Sequence, residues 1–170
     1  MKRNALLPAA LATLVLALAG CGFHLRNALV LPEGLGPVRV EARDPYSPLA
    51  DSLERALQRA GAEPAPAGAV DVAVLRLVDE RWGDTPLSVD ARGRAQEFSL
   101  RYAVVFELRD AAGDVLVPRQ VVELSRDYVS PPTNSIGTDS EREILGRELR
   151  REMGASILRR IDAAARGVSG

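Results

Sequence analysis

Leu18-Ala19-Gly20-Cys21 sets the only cysteine of the chain directly behind two small residues at the end of an apolar run. These residue types in this order resemble a bacterial lipobox. A cysteine thiolate is a nucleophile, and the chemistry open to it here is alkylation by diacylglycerol. Cleavage before Cys21 then exposes an amine that can take a further acyl chain. Lys2 and Arg3 precede the apolar run, which extends from about Ala5 to Ala19, so the basic start, apolar middle and small-residue cut site of a secretory signal are all present. The run is short for a bilayer span, and Pro8 weakens it as a helix. The sequence is therefore read as a signal peptide over residues 1–20, followed by a chain acylated at Cys21. Two or more acyl chains hold a protein in a membrane stably where one binds reversibly, so the anchor needs no transmembrane helix. The alternative is an ordinary secretory signal with an unrelated cysteine behind it.

Other chemistry finds little support. His24 is the only histidine and sits three residues beyond Cys21 in a glycine- and proline-containing stretch, whereas general-base work needs an imidazole held rigidly against a nucleophile. One histidine with scattered carboxylates has no metal-ligand spacing. Gly34 and Gly36 precede a strand rather than a helix, so they do not form a phosphate-cradling loop. The sequence argues against an enzyme and implies no cofactor. Arg92 and Arg94 flank Gly93 at a turn, where two guanidinium groups could project beyond a sheet and bind phosphate through paired hydrogen bonds. Solvated turn residues are the commoner meaning of such a triplet.

Removal of 20 residues leaves 150 of the 170, one domain's worth. That part keeps 20 of the 22 basic residues and all 23 acidic ones, for a net charge of −3, which is no nucleic-acid signature. With Cys21 acylated there is no internal disulfide, and stability must come from packing. Every basic side chain beyond the signal is arginine. A GC-rich genome accounts for this, and so does a preference for bidentate contacts to phosphate or carboxylate.

The elements that position these groups follow from periodicity. Residues 21–37, with Gly22, Pro32, Gly34, Gly36 and Pro37, read as a tether. Val38 to Arg43 alternates as a half-buried strand. Ser47 caps a helix with Pro48 at its first position, a stripe of Leu49, Leu53, Ala56, Leu57 and Ala60, and Gly61 as terminator. A Pro/Ala/Gly link over residues 63–69 leads to an interior strand from Val70 to Val78. Gly83 and Pro86 interrupt its continuation, which predicts a bent or edge portion. Asp90 to Arg94 and Asp110 to Asp114 are hairpin turns on either side of a strand whose Phe98, Leu100, Tyr102, Val104, Phe106 and Leu108 share one face. Val115 to Val129 completes the meander. After a loop from Ser130 to Gly137, Ser140 and Glu143 form a capping box for a helix running to about Arg166, roughly 40 Å at about 1.5 Å per residue. Its buried stripe is Leu145, Leu149, Met153, Ile157, Leu158 and Ile161. The fold class expected is a two-layer α/β domain over residues 38–167. Its sheet is four-stranded and mostly antiparallel, the element order is β-α-β-β-β-α, and both helices pack on one face.

Cys21-Gly22-Phe23-His24-Leu25-Arg26 resembles the N-terminus of the LptE family of lipopolysaccharide-assembly lipoproteins, in which Cys-Gly, an aromatic residue and His-Leu-Arg recur. Three further segments match in order. They are Asp44-Pro45 before the helix at Pro48-Leu49, the hairpin Arg92-Gly93-Arg94-Ala95-Gln96-Glu97-Phe98, and Asp139-Ser140-Glu141 at the last helix. The resemblance implies a two-layer α/β domain that sits as a plug inside the large outer-membrane β-barrel LptD, assists assembly of that barrel and binds lipopolysaccharide, with no catalysis. It places lipopolysaccharide contacts at the middle hairpin, here Arg92 and Arg94, and in the loop before the last helix. The family's own basic positions align with Ala91 and Thr138. Gly22, where an aspartate would favour retention in the inner membrane in typical bacterial lipoproteins, implies forwarding to the outer membrane. The competing reading is another outer-membrane lipoprotein of the periplasm, a barrel-assembly accessory or a binder of peptidoglycan or phospholipid on the same scaffold.

Overall fold

The computed structural model describes residues 29–130 and 135–168. Cys21, His24 and the remainder of the 21–26 motif lie outside the described residues. The elements are β1 (Pro37–Ala42), α1 (Pro48–Arg59), β2 (Glu63–Pro64), β3 (Ala73–Val89), β4 (Ala95–Arg109), β5 (Val115–Val129) and α2 (Ser135–Val168).

The alternation along β4 is the organising feature. Leu100, Tyr102, Val104, Phe106 and Leu108 are at most 1% exposed, because side chains two apart on a strand share a face and both helices cover that face. The fully buried side chains of α2, Leu149, Met153, Ile157 and Ile161, recur every fourth residue and so form one stripe. They share a single core with Leu49, Leu53 and Leu57 of α1 and with the β4 row. α1 begins as its sequence dictates: the Ser47 hydroxyl accepts from the Ala50 amide at 3.3 Å, with Pro48 in the first turn. Beyond its end Gly61 takes a φ of 97°, the left-handed conformation that suits glycine at a helix stop.

The sheet has five strands rather than four, in the order β2-β1-β3-β4-β5, and it is mixed. β1 is parallel to both β2 and β3, while β3, β4 and β5 are antiparallel neighbours as expected of a meander. The additional strand is two exposed residues, Glu63 and Pro64, too short for alternation to register. Proline is tolerated there because β2 is an edge. The parallel pairing of β1 with β3 follows from α1, which supplies the crossover a parallel pair requires.

Two boundaries also differ from expectation, the start of β3 and the start of α2, while the bent or edge portion expected at Gly83 and Pro86 is present. β3 begins at Ala73, and Val70 is 85% exposed before it. β3 then runs unbroken through Gly83 and Pro86, bending at register shifts after Leu77 and Pro86. β1 pairs β3 only over Ala73–Leu77, so the remainder of β3 is an edge where proline removes no ladder bond. α2 begins at Ser135, which puts Ser140 inside the helix rather than at its cap.

The shift after Leu77 changes what β3 presents to the helices. Glu80, Trp82 and Asp84 replace the apolar residues of its first half. The Glu80 carboxylate accepts from the Tyr102 hydroxyl at 2.6 Å and from the Ser47 hydroxyl at 2.9 Å, so this polar group is satisfied at the edge of the core. The Trp82 ring stacks on Tyr102 with centroids 3.8 Å apart. The opposite face of the sheet is open and ion-paired across strands. The buried Glu107 carboxylate lies among Arg76, Arg109 and Arg119 at 3.8, 3.7 and 3.3 Å. Before β1 the chain lies against this body: Leu35 is buried, and the Val30 amide donates to Asp162 of α2 at 2.8 Å.

Candidate functional site

The hairpin joining β3 to β4 is built around Asp90. Its carboxylate accepts from the Arg92 amide at 2.8 Å, the Arg94 amide at 2.9 Å, Arg94 Nε at 2.8 Å and Gln96 Nε2 at 3.3 Å. These are the bonds by which aspartate closes a turn on its own backbone. Gly93, at φ 74°, has nothing within 4 Å of where a Cβ would stand, so glycine is required there by backbone conformation and not by space. The bond from the Arg94 amide, joined by those from the Arg94 side chain, the Arg92 amide and Gln96, holds the Asp90 carboxyl below its ordinary value. The carboxylate therefore stays ionised, and the two arginines become unequal. Arg94 is pinned to Asp90 by a 2.8 Å ion pair and its charge is largely compensated. The exposed Arg92 side chain has no ion-pair partner among the described residues.

The end of β5 lies against the base of this hairpin, and the start of α2 meets β3 further along, at Asp84. Ser130 donates to the Gln96 carbonyl at 2.8 Å, closing the end of β5 against the hairpin base. Arg142, on the first turns of α2, reaches Asp84 of β3 through Nη2 at 2.7 Å and Nε at 3.2 Å. The Tyr128 hydroxyl donates to the same carboxylate at 3.0 Å. Thr138, expected in the loop before the last helix, is helical and buried in this chain. Ala91 is exposed in the turn and carries no charge. While Arg142 is committed to Asp84, the cations of this turn are Arg92 and Arg94. Sequence reasoning had located both but not the ring of bonds around Asp90. The signal for that was the aspartate opening the turn.

The Arg142 bond, reinforced by the Tyr128 bond and opposed by partial burial, lowers the Asp84 carboxyl below the ordinary aspartate value. A carboxyl depressed on folding contributes stability that is full above its unfolded value and is lost as pH falls through the folded value. We expect Asp84→Asn to cost about 1–2 kcal/mol at pH 7, the scale of hydrogen bonds to a charged group that is partly exposed. Urea unfolding at pH 7 and pH 3 checks this: the wild-type chain should lose more stability between the two than the variant does. Parallel losses would show that Asp84 does not carry the acid sensitivity.

Among the described residues no group of three or more His, Cys, Asp and Glu side chains could hold a metal ion, and no helix is long and apolar enough to cross a membrane. A family model described as LptE, lipopolysaccharide-assembly, matches residues 35–161. The LPS-assembly lipoprotein LptE of Photorhabdus laumondii is 31% identical over 94% of this chain and 86% of its own length. The solution structure of a lipoprotein B from Nitrosomonas europaea superposes with a TM-score of 0.68 at 26% identity, covering 84% of this chain and 91% of that one. The crystal structure of the rare lipoprotein B from Shewanella oneidensis gives 0.67 at 24% identity over 79% of this chain and all of that one, a likeness of fold. The family match reaches both helices and all five strands, and the relative is similar over most of both chains. The chain belongs to the LptE family of lipopolysaccharide-assembly lipoproteins, which are not enzymes.

Proposed function

We propose that this chain is an outer-membrane lipoprotein of lipopolysaccharide assembly. In this reading Cys21 carries the acyl anchor and the α/β body occupies the lumen of the LptD β-barrel, assisting its assembly. The β3–β4 hairpin offers Arg92 and Arg94 to the phosphates of lipid A. The observation that carries the reading is the family match over residues 35–161, which takes in the whole sheet, the first helix and most of the last one.

Within the hairpin the geometry ranks the two arginines. A guanidinium committed to Asp90 must exchange one carboxylate for a phosphate, whereas Arg92 gives up only water and can make its paired bonds at less cost. Arg92→Glu is therefore expected to weaken lipopolysaccharide binding about tenfold, roughly 1.4 kcal/mol, with thermal stability unchanged because the side chain is exposed and unpaired. Arg94→Glu sets a second carboxylate beside Asp90 and should loosen the turn as well. Association with the barrel should survive both changes, since a large interface tolerates loss of rim charges. Titration of lipopolysaccharide into the folded variants tests this assignment. Equal affinity for the wild-type and Arg92→Glu chains overturns it.

A further inference from the structure

The seam between the two helices holds a second cationic feature, unlike the hairpin in its apolar floor. Leu53 and Ala56 of α1 and Ala155 and Leu158 of α2 line an open groove of about 400 Å³. Ala56, Gly154 and Ala155 line it with small groups that leave the space between the helices open. From Arg147 to Leu158 the helix advances roughly 16 Å at about 1.5 Å per residue, the reach of a medium-length acyl chain.

The rim is charged in one sense. Arg59 stands at the end of α1 and Arg147, Arg150 and Arg151 line the α2 side, and no acidic residue lines the groove, in a chain whose net charge is −1. Arginines on the sheet are neutralised, as Arg76 is by Glu41 and Arg126 by Glu152. In the groove Arg147 alone has a carboxylate partner, Glu143. Arg150 lies over the Trp82 ring, 5.5 Å from its centroid, a contact that positions the guanidinium without cancelling its charge. Arg59 and Arg151 have no ion-pair partner among the described residues.

We propose that this groove binds one acyl chain of an anionic lipid, with the lipid phosphate on Arg150 and Arg151. The apolar floor removes methylene groups from water, and two uncompensated guanidinium groups at one margin match a phosphate in charge and in bidentate geometry. The site is separate from the hairpin. α1 begins next to Glu80, and the ten residues from there to Asp90 extend roughly 30 Å at about 3.3 Å each. The proposal stands whether or not the hairpin meets lipopolysaccharide.

Trp82, the only tryptophan, reports on the site through Arg150. The acylated chain in phosphatidylcholine nanodiscs is titrated with dodecyl phosphate below its micelle concentration while Trp82 emission is followed, with empty nanodiscs subtracted. A saturable change is expected with dodecyl phosphate, and none with dodecyl maltoside, which lacks the charge, or with inorganic phosphate, which lacks the chain. Ala155→Phe, which fills the slot, and Arg151→Gln, at an exposed position, should each weaken the response about tenfold. Arg92→Glu should leave it unchanged. If Ala155→Phe fails to fold, Arg151→Gln decides alone. No saturation, an equal response to either control, or wild-type affinity in folded Arg151→Gln overturns the proposal.

Discussion

Truncation of Leu149 to alanine is expected to lower the unfolding free energy by about 2–5 kcal/mol, the loss found when a buried leucine is removed and its cavity only partly closes. Leu149 is completely buried in the stripe that α2 lays against the sheet, alongside Met153, Ile157 and Ile161. Leu145, one turn earlier and only half-buried, should cost distinctly less when truncated. Urea unfolding with an unchanged slope would confirm that stability alone has moved. A loss under about 0.5 kcal/mol at Leu149 would show that the stripe does not pack as described.

The second large effect concerns the anchor. Cys21→Ala leaves no thiol anywhere in the chain, so the variant should lack the multi-acyl mass increment of the wild-type chain and leave the membrane fraction. Each buried methylene contributes about 0.8 kcal/mol, so loss of all acyl chains removes far more binding energy than any single side-chain contact. Intact-mass measurement on both chains decides it. A wild-type chain without acyl mass would end the lipidation reading.

Elements whose signals are local were legible in the sequence. Ser47, Pro48, the leucine stripe and Gly61 mark α1 at both ends, and β4 shows a two-residue period from Phe98 to Leu108 that survives in the fold. What escaped depends on partners distant in sequence. β2 is two residues defined only by hydrogen bonds to β1, and the period of β1 is the same whether its neighbour runs parallel or antiparallel. Gly83 and Pro86 did mark this part of β3 as bent or edge, because both residues are tolerated where one side of a strand is unpaired. Ser140 and Glu143 satisfy the capping-box spacing, yet the helix starts at Ser135 through Gly137, a poor helix former that hides the earlier turn. Glu80, Trp82 and Asp84 looked like a weak strand until Tyr102, Tyr128 and Arg142 were placed around them.

The same division holds for function. The proposed acylation at Cys21 rests on contiguous residues, and Arg92 and Arg94 are evident as turn cations. Their inequality depends on which carboxylate faces each of them, which spacing does not reveal. The groove is the extreme case, since Ala56 and Ala155 are far apart in sequence and meet only because both helices pack on one face of the sheet.

The central claim is that this body works inside a barrel as a lipopolysaccharide-assembly subunit. The most direct measurement is affinity purification of the tagged, acylated chain from detergent-solubilised outer membranes, with the recovered proteins identified by mass spectrometry. The account predicts that the LptD β-barrel is recovered in an amount comparable to the chain itself. Recovery of the acylated, folded chain with no such barrel would contradict it.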